Sequence, residues 1–320
     1  MSQTIANSPQ IRVSLDYSYI VATQSDKNCK LTTSIEEWFV KNARELPWRT
    51  NDTPWGRLVS EFMAQQTQIA RVALLWPQMM AKFPTPEAMA KGDEQDVLSL
   101  WKGLGYYRRA KYLKATAEMI VTDFDGEVPR DADLLQKLPG IGKYTAGAIA
   151  SLAFGDREPI VDGNVHRVLC RIFDKRDTPA PTTWTWEVAG QLVQDCNHPK
   201  LFNEGLMEFG ATVCTPKSPS CSSCSLKSQC EAFKNNTQVG IPPPKVNAPK
   251  QHVYHYAVIV ENGDELAFEQ RGDHGLWAGM WQVPTVESPI ELSEESVASE
   301  LSITEPLNKI GSFNHILSHR

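Results

Sequence analysis

Four cysteines lie within 17 residues of one another: Cys214, Cys221, Cys224 and Cys230, spaced C-x6-C-x2-C-x5-C. Crowded thiols either pair as disulfides or hold metal. A disulfide framework calls for an oxidising compartment, and residues 1–30 carry neither the basic nor the apolar stretch of a secretion signal. Structural zinc bound by four cysteines usually uses two separated C-x2-C knuckles, and only one is present. A [4Fe–4S] cluster needs four thiolates converging from one compact loop, and the spacing favours that reading. Cys29, Cys170 and Cys196 stand apart and read as loose thiols or core packing.

Two carboxylates could do chemistry. Glu61 sits in Val59-Ser60-Glu61-Phe62-Met63-Ala64-Gln65-Gln66-Thr67-Gln68, an apolar and amide-rich stretch. A carboxyl in such surroundings keeps its proton to higher pH and can act as an acid; alone, it could equally be a surface residue of a helix. Asp162 precedes the helical pattern Gly163-Asn164-Val165-His166-Arg167-Val168, an N-cap position. A lone aspartate there is ordinarily a cap and nothing more. Between them lies Leu138-Pro139-Gly140-Ile141-Gly142-Lys143. Its Pro-Gly-x-Gly forces a tight turn, and the helix that follows at once points its N-terminus outward, an anion site suited to a DNA phosphate. A simple helix–helix turn is the plainer alternative.

The elements that must hold these residues are mostly helical. Residues 1–33 read as an irregular leader. From 34 to 233 apolar residues recur every three or four positions, as in Leu58, Phe62, Ile69 and Val72, with short Gly/Pro/Asp breaks. Residues 234–250, with Pro242-Pro243-Pro244, read as a stiff linker. Residues 251–320 turn β-rich, in His252–Val260 and again in Leu266-Ala267-Phe268 across a Glu261–Asp264 turn, and read as a partial α+β domain.

The hairpin, Asp162 and the cysteine loop, in this order, resemble the helix-hairpin-helix DNA glycosylase superfamily in its iron–sulfur branch, over about residues 34–233. The resemblance implies a six-helix barrel plus a cluster domain, with Asp162 facing the positive charge that develops on the sugar. Ser60-Glu61 followed by Gln65-Gln66-Thr67 resembles the signature of MutY-type adenine DNA glycosylases, with Ala64 in place of a leucine. Trp101-Lys102-Gly103-Leu104-Gly105-Tyr106-Tyr107-Arg108-Arg109 matches the same family. By that resemblance Glu61 is the acid, Tyr144 and Asn164 flank Asp162, and Gln66 and Tyr106 meet the strand opposite a flipped base. Gly140, Gly142, Lys143 and Lys217 would face phosphates, and Tyr107 reads as core. Lyase-active relatives carry a lysine where this chain has Tyr144. Lys143 is turned about 100° away on a helix, so the expectation is a monofunctional, water-using enzyme.

His274-Gly275-Leu276-Trp277-Ala278-Gly279-Met280-Trp281 resembles the family's Nudix-like domain that recognises 8-oxoguanine, without a Nudix catalytic box. Phe313–His319 resembles its Phe-Ser-His loop, with Leu317 in place of Phe and Ser318 as the donor to the oxidised base. The strands expected after it are missing. The expected partner is therefore double-stranded DNA with A:8-oxoguanine or A:G mismatches, bound by a cytoplasmic, nucleoid-associated monomer of bacterial type. A related glycosylase of other base specificity and a non-catalytic iron–sulfur DNA-binding module are the rivals.

Composition is compatible. Hydrophobic residues at 41% and charged residues at 22% exclude a disordered chain, and no run of about 18 apolar residues could form a membrane span. The net charge of −6 argues at first against nucleic acid. However, residues 250–320 hold 4 Lys/Arg against 11 Asp/Glu, so residues 1–249 are nearly balanced at 28 against 27. The acidity belongs to the tail, and the helical part is free to carry a basic face.

Overall fold

The structure, a computed structural model, describes residues 17–244, 252–272, 275 and 277–314, with side chains from residue 26 onward. Helices α1 (Tyr17–Asn42), α2 (Pro47–Thr50), α3 (Pro54–Ala64), α4 (Ile69–Lys82), α5 (Pro86–Lys91), α6 (Glu94–Leu100) and α7 (Arg108–Asp123) are followed by α8 (Ala132–Leu135), α9 (Lys143–Phe154), α10 (Gly163–Ile172), α11 (Thr183–Asp195), α12 (Pro199–Thr212) and α13 (Glu231–Lys234). The fold is thus mainly α, as the periodicity suggests.

Two cores organise these helices. The first gathers Trp55, Leu58, Phe62, Met79, Trp101, Leu113 and Ile149 from α3 to α9. The second gathers Leu31 and Ile35 of α1 with Val165, Leu169, Leu192, Phe202, Leu206 and Phe209 of α10 to α12. The second lobe is therefore discontinuous, because the N-terminal helix joins the C-terminal half.

That arrangement corrects the reading of residues 1–33 as irregular, since from Tyr17 onward the chain is helical. The signal was weak because α1 is barely apolar on average. Leu31, Ile35 and Phe39 recur every fourth residue, and packing against α11 and α12 decides the matter. Glu36 then caps α12, its Oε1 accepting from the backbone N–H of Asn197 (3.0 Å) and His198 (3.1 Å).

The start of the proline-rich stretch packs onto the second lobe. Ile241 is buried beside Cys170 and Ala232, and its carbonyl accepts from Arg171 Nε at 2.8 Å. Beyond it, among the described residues, come six short strands, β1 (Tyr254–Ala257), β2 (Glu261–Asn262), β3 (Glu265–Leu266), β4 (Glu269–Gln270), β5 (Trp281–Gln282) and β6 (Thr285–Ser288), and the helix α14 (Glu294–Glu300). The strands pair antiparallel as β1–β6, β2–β3 and β4–β5. Strands and helix together form a small α+β unit. Its Asp273, His274 and Leu276, and Ser318 at the expected recognition loop, lie outside the described residues. Among the described residues no helix is long and apolar enough to cross a membrane.

Candidate active site

Glu61 and Tyr144 come from the first lobe, and Asp162 and Asn164 from the second. Glu61 lies on the last turn of α3, a helix started by Thr53, whose hydroxyl accepts from the Gly56 N–H. Phe62 and Met63 beside it are fully buried, which fixes the rotation of the helix and turns Glu61 toward α9. There it lies beside the Tyr144 phenol, which favours its ionised form. Burial, reinforced by Asp162 and Glu204, pushes the Glu61 carboxyl up to about 7, against the opposing pull of Tyr144 and Arg57. The Tyr144 phenol is held well above its ordinary range by burial and by the neighbouring Glu61 and Asp162 charges, so it stays protonated. Its oxygen also lies 3.7 Å from Met207 Sδ.

Asp162 is the N-cap of α10. Its Oδ1 accepts from the Val165 N–H at 2.7 Å, and its Oδ2 accepts from Asn164 Nδ2 at 2.9 Å. Both oxygens act as acceptors, at a helix end whose dipole favours negative charge. Asn164 is held in turn, its Oδ1 accepting from Arg167 Nη2 at 2.8 Å. Arg167 also donates to the carbonyls of Gly210 (2.8 Å) and Cys214 (2.8 Å). A continuous line of hydrogen bonds therefore runs from the cysteine loop to Asp162. Gly210 is required there, because a side-chain carbon would come within 2.7 Å of Asn164 Cβ.

Ion pairs to the buried Glu204 and Glu208 clamp the lobes together. Glu208 accepts from Arg44 Nε at 2.5 Å and from Arg49 Nη2 at 3.2 Å. Glu204 pairs with Arg49 (3.3 Å) and Arg57, and Arg57 also pairs with Asp52 (2.6 Å). Sequence reasoning passed over Arg167 and this network, since nothing in the order of residues distinguishes a buried arginine from an exposed one.

The hairpin has the expected shape. Gly140 takes φ +75°, and a β-carbon there would come within 2.8 Å of Tyr112 Cβ, while Gly142 caps α9 in extended conformation with its surface exposed. The first N–H groups of α9 are thereby presented to solvent. Lys143 turns away from Tyr144, its Nζ lying 4.3 Å above the Trp186 ring. Gln66 (φ 55°) and Tyr106 (φ 47°) sit exposed on two adjacent loops in the left-handed region, which favours glycine. Tyr107 packs against the first core.

Cys214, Cys221, Cys224 and Cys230 are all unpaired and line one recess together with Arg171, Leu226 and Phe233. Among the described residues no three His, Cys, Asp or Glu side chains are placed to hold a single metal ion. Four thiols lining one recess are the donor set that an iron–sulfur cluster takes. Burial pushes the Cys224 thiol up to about 11 and raises Cys221 and Cys230 as well. Four thiolates therefore need positive charge among them. Arg171 supplies some, its Nη1 lying 3.4 Å from Cys214 Sγ. The same guanidinium donates to the carbonyls of Thr215 (2.7 Å) and Pro216 (2.9 Å), fixing the loop on which Lys217 is exposed.

A helical hairpin followed by a capped aspartate and a four-cysteine recess defines a base-excision DNA repair protein of the helix-hairpin-helix class. The family model for the HhH-GPD superfamily base excision DNA repair protein matches residues 59–185, and that for the NUDIX domain matches residues 255–320. The chain belongs to the adenine DNA glycosylase family. It is 34% identical to the adenine DNA glycosylase of Rattus norvegicus, over 88% of this chain and 67% of that one. It is 30% identical to that of Buchnera aphidicola, over 89% and 83%. A solved thermostable thymine-DNA glycosylase superposes with a TM-score of 0.59 at 28% identity, over 67% of this chain and 99% of the other. The chain spans about half to two thirds of the length of several further curated relatives.

Proposed function

We propose that this protein hydrolyses the N-glycosidic bond of adenine mispaired with 8-oxoguanine or guanine in DNA, leaving an abasic site. The observation that carries the reading is the pair of unlike carboxyls. Glu61 is held near 7 beside Tyr144, while Asp162 accepts hydrogen bonds at both oxygens. Environments that separate two carboxyls in this way assign one to proton donation and the other to charge stabilisation.

Adenine, flipped out of the duplex toward Glu61 and Asp162, takes the Glu61 proton at N7. The electron pair of the C1′–N9 bond leaves with the base. The sugar becomes oxocarbenium-like opposite Asp162, and water adds at C1′, its proton passing to the carboxylate that Glu61 has become. Gln66 and Tyr106 fill the opposite strand, while Gly140, Gly142, Lys143 and Lys217 meet phosphates. Ser318 would donate to the oxidised base. Cys214, Cys221, Cys224 and Cys230 would hold a [4Fe–4S] cluster, which supplies a rigid crosslink of the loop and no redox step in a hydrolysis. A cytoplasmic, nucleoid-associated monomer is the setting this reading implies.

Two tests follow. The purified protein is expected to be brown, with about four irons per chain by elemental analysis; one zinc and no iron would replace the cluster with a zinc site. In product analysis, the wild type should release free adenine and leave the strand unbroken until hot base is added. Tyr144→Lys places an amine beside the sugar aldehyde, so borohydride should trap that variant on DNA but not the wild type. Equal trapping of the wild type would point to another lysine and end the monofunctional reading.

A further inference from the structure

Arg109 is only 7% exposed, and no carboxylate pairs with it among the described residues. Its guanidinium donates to five oxygens instead. Nη1 reaches the carbonyls of Phe62 (2.8 Å) and Met63 (3.1 Å), in the last turn of α3. Nη2 reaches Thr67 Oγ1 (3.0 Å) and the carbonyls of Leu104 (2.9 Å) and Gly105 (3.1 Å). The first three acceptors flank Gln66, and the last two immediately precede Tyr106. The guanidinium also lies 5.3 Å above the Trp101 ring and 5.7 Å above the Tyr106 ring. Thr67 closes the arrangement by donating to the Leu104 carbonyl at 3.2 Å.

This is a costly way to use an arginine. Burial lowers its guanidinium to about 10, and its buried Nε has no partner. The negative end of the α3 dipole offsets part of that cost. Each loop also carries one non-glycine residue in left-handed backbone, at Gln66 and at Tyr106. Such conformations are disfavoured for residues with a β-carbon and persist only where the surroundings over-determine them.

We propose that Arg109 is a positioning residue that locks the Gln66 loop and the Tyr106 loop into one preformed wedge. The two side chains then enter the strand opposite the flipped base as a unit, and DNA binding does not have to order the loops separately. The inference rests on the assignment of Gln66 and Tyr106 to the opposite strand.

A double-mutant cycle tests it. The readout is equilibrium affinity for a duplex with one A:8-oxoguanine pair, whose adenosine carries a 2′-fluorine that resists glycosidic cleavage by destabilising the developing cation. Arg109→Met should weaken binding about tenfold in the wild-type background and by less than about twofold when Gln66 and Tyr106 are already alanine. Thr67→Val removes one link between the loops and should show the same dependence with a smaller loss. If Arg109→Met does not yield folded protein, Thr67→Val carries the cycle alone. Arg109→Lys keeps the charge but not the fork, and should recover only part of the affinity. Wild-type affinity in the Gln66→Ala/Tyr106→Ala protein would overturn the wedge assignment itself. Losses that are equal in both backgrounds, or absent from both, would leave that assignment standing and overturn the role of Arg109.

Discussion

Asp162→Asn is expected to bind an A:8-oxoguanine duplex within a few-fold of the wild type while excising adenine at least about a hundredfold more slowly. The substitution removes charge and little else. The amide oxygen can still cap α10 by accepting from the Val165 N–H. The new NH2, however, faces the donor Nδ2 of Asn164, whose own oxygen is committed to Arg167. That conflict is local and leaves both lobes packed. What is lost is the carboxylate opposite the developing sugar cation, a contribution of a few kcal/mol that exists only in the transition state. Single-turnover excision, measured beside equilibrium binding of the same variant, separates the two effects. Excision at a near-wild-type rate would remove Asp162 from the chemistry.

Glu61→Gln should also abolish excision, and it should make the protein more stable above neutral pH. The folded-state value of about 7 lies above the ordinary 4.5. Between those values the unfolded chain has released the proton that the folded chain retains. The native carboxyl therefore lowers stability progressively as pH rises from about 4.5 to 7, by at most about 3 kcal/mol beyond that window. Below pH 4 both states are protonated and the difference vanishes. Glutamine has the shape of the protonated acid without its titration, so thermal melts should show a higher Tm for the variant at pH 8 and coincident curves near pH 4. Activity should run the opposite way to that benefit. Wild-type excision should fall as pH rises through about 7, because the acid form of Glu61 is the donor. An equally active Glu61→Gln protein would exclude proton donation from this side chain.

Much of this geometry was legible in the residue order, and for local reasons. Asp162 precedes an apolar helical pattern and is found capping α10. Gly140 stands in a Pro-Gly-x-Gly turn and takes positive φ. The compact spacing of the cysteines brings all four to one recess. Tyr144 faces Glu61 while Lys143 lies over Trp186, because neighbouring positions on a helix diverge. What stayed hidden depends on contacts distant in sequence. The N-terminal helix is weakly apolar and is held by α11 and α12, so its pattern alone did not announce it. Arg109 and Arg167 look like ordinary helical arginines until the fold buries them among carbonyls. The pairing of Arg57 with Glu204, which helps to set the charge around Glu61, spans 147 positions and leaves no periodic trace.

The most direct test of the proposed activity is single-turnover base release from four duplexes that differ only at one pair: A:8-oxoguanine, A:G, A:T and T:G. Free adenine from the first two, faster opposite 8-oxoguanine, with none from A:T and no thymine from T:G, is the expected outcome. Thymine release, or no adenine release by protein shown to carry its full complement of iron, would contradict it.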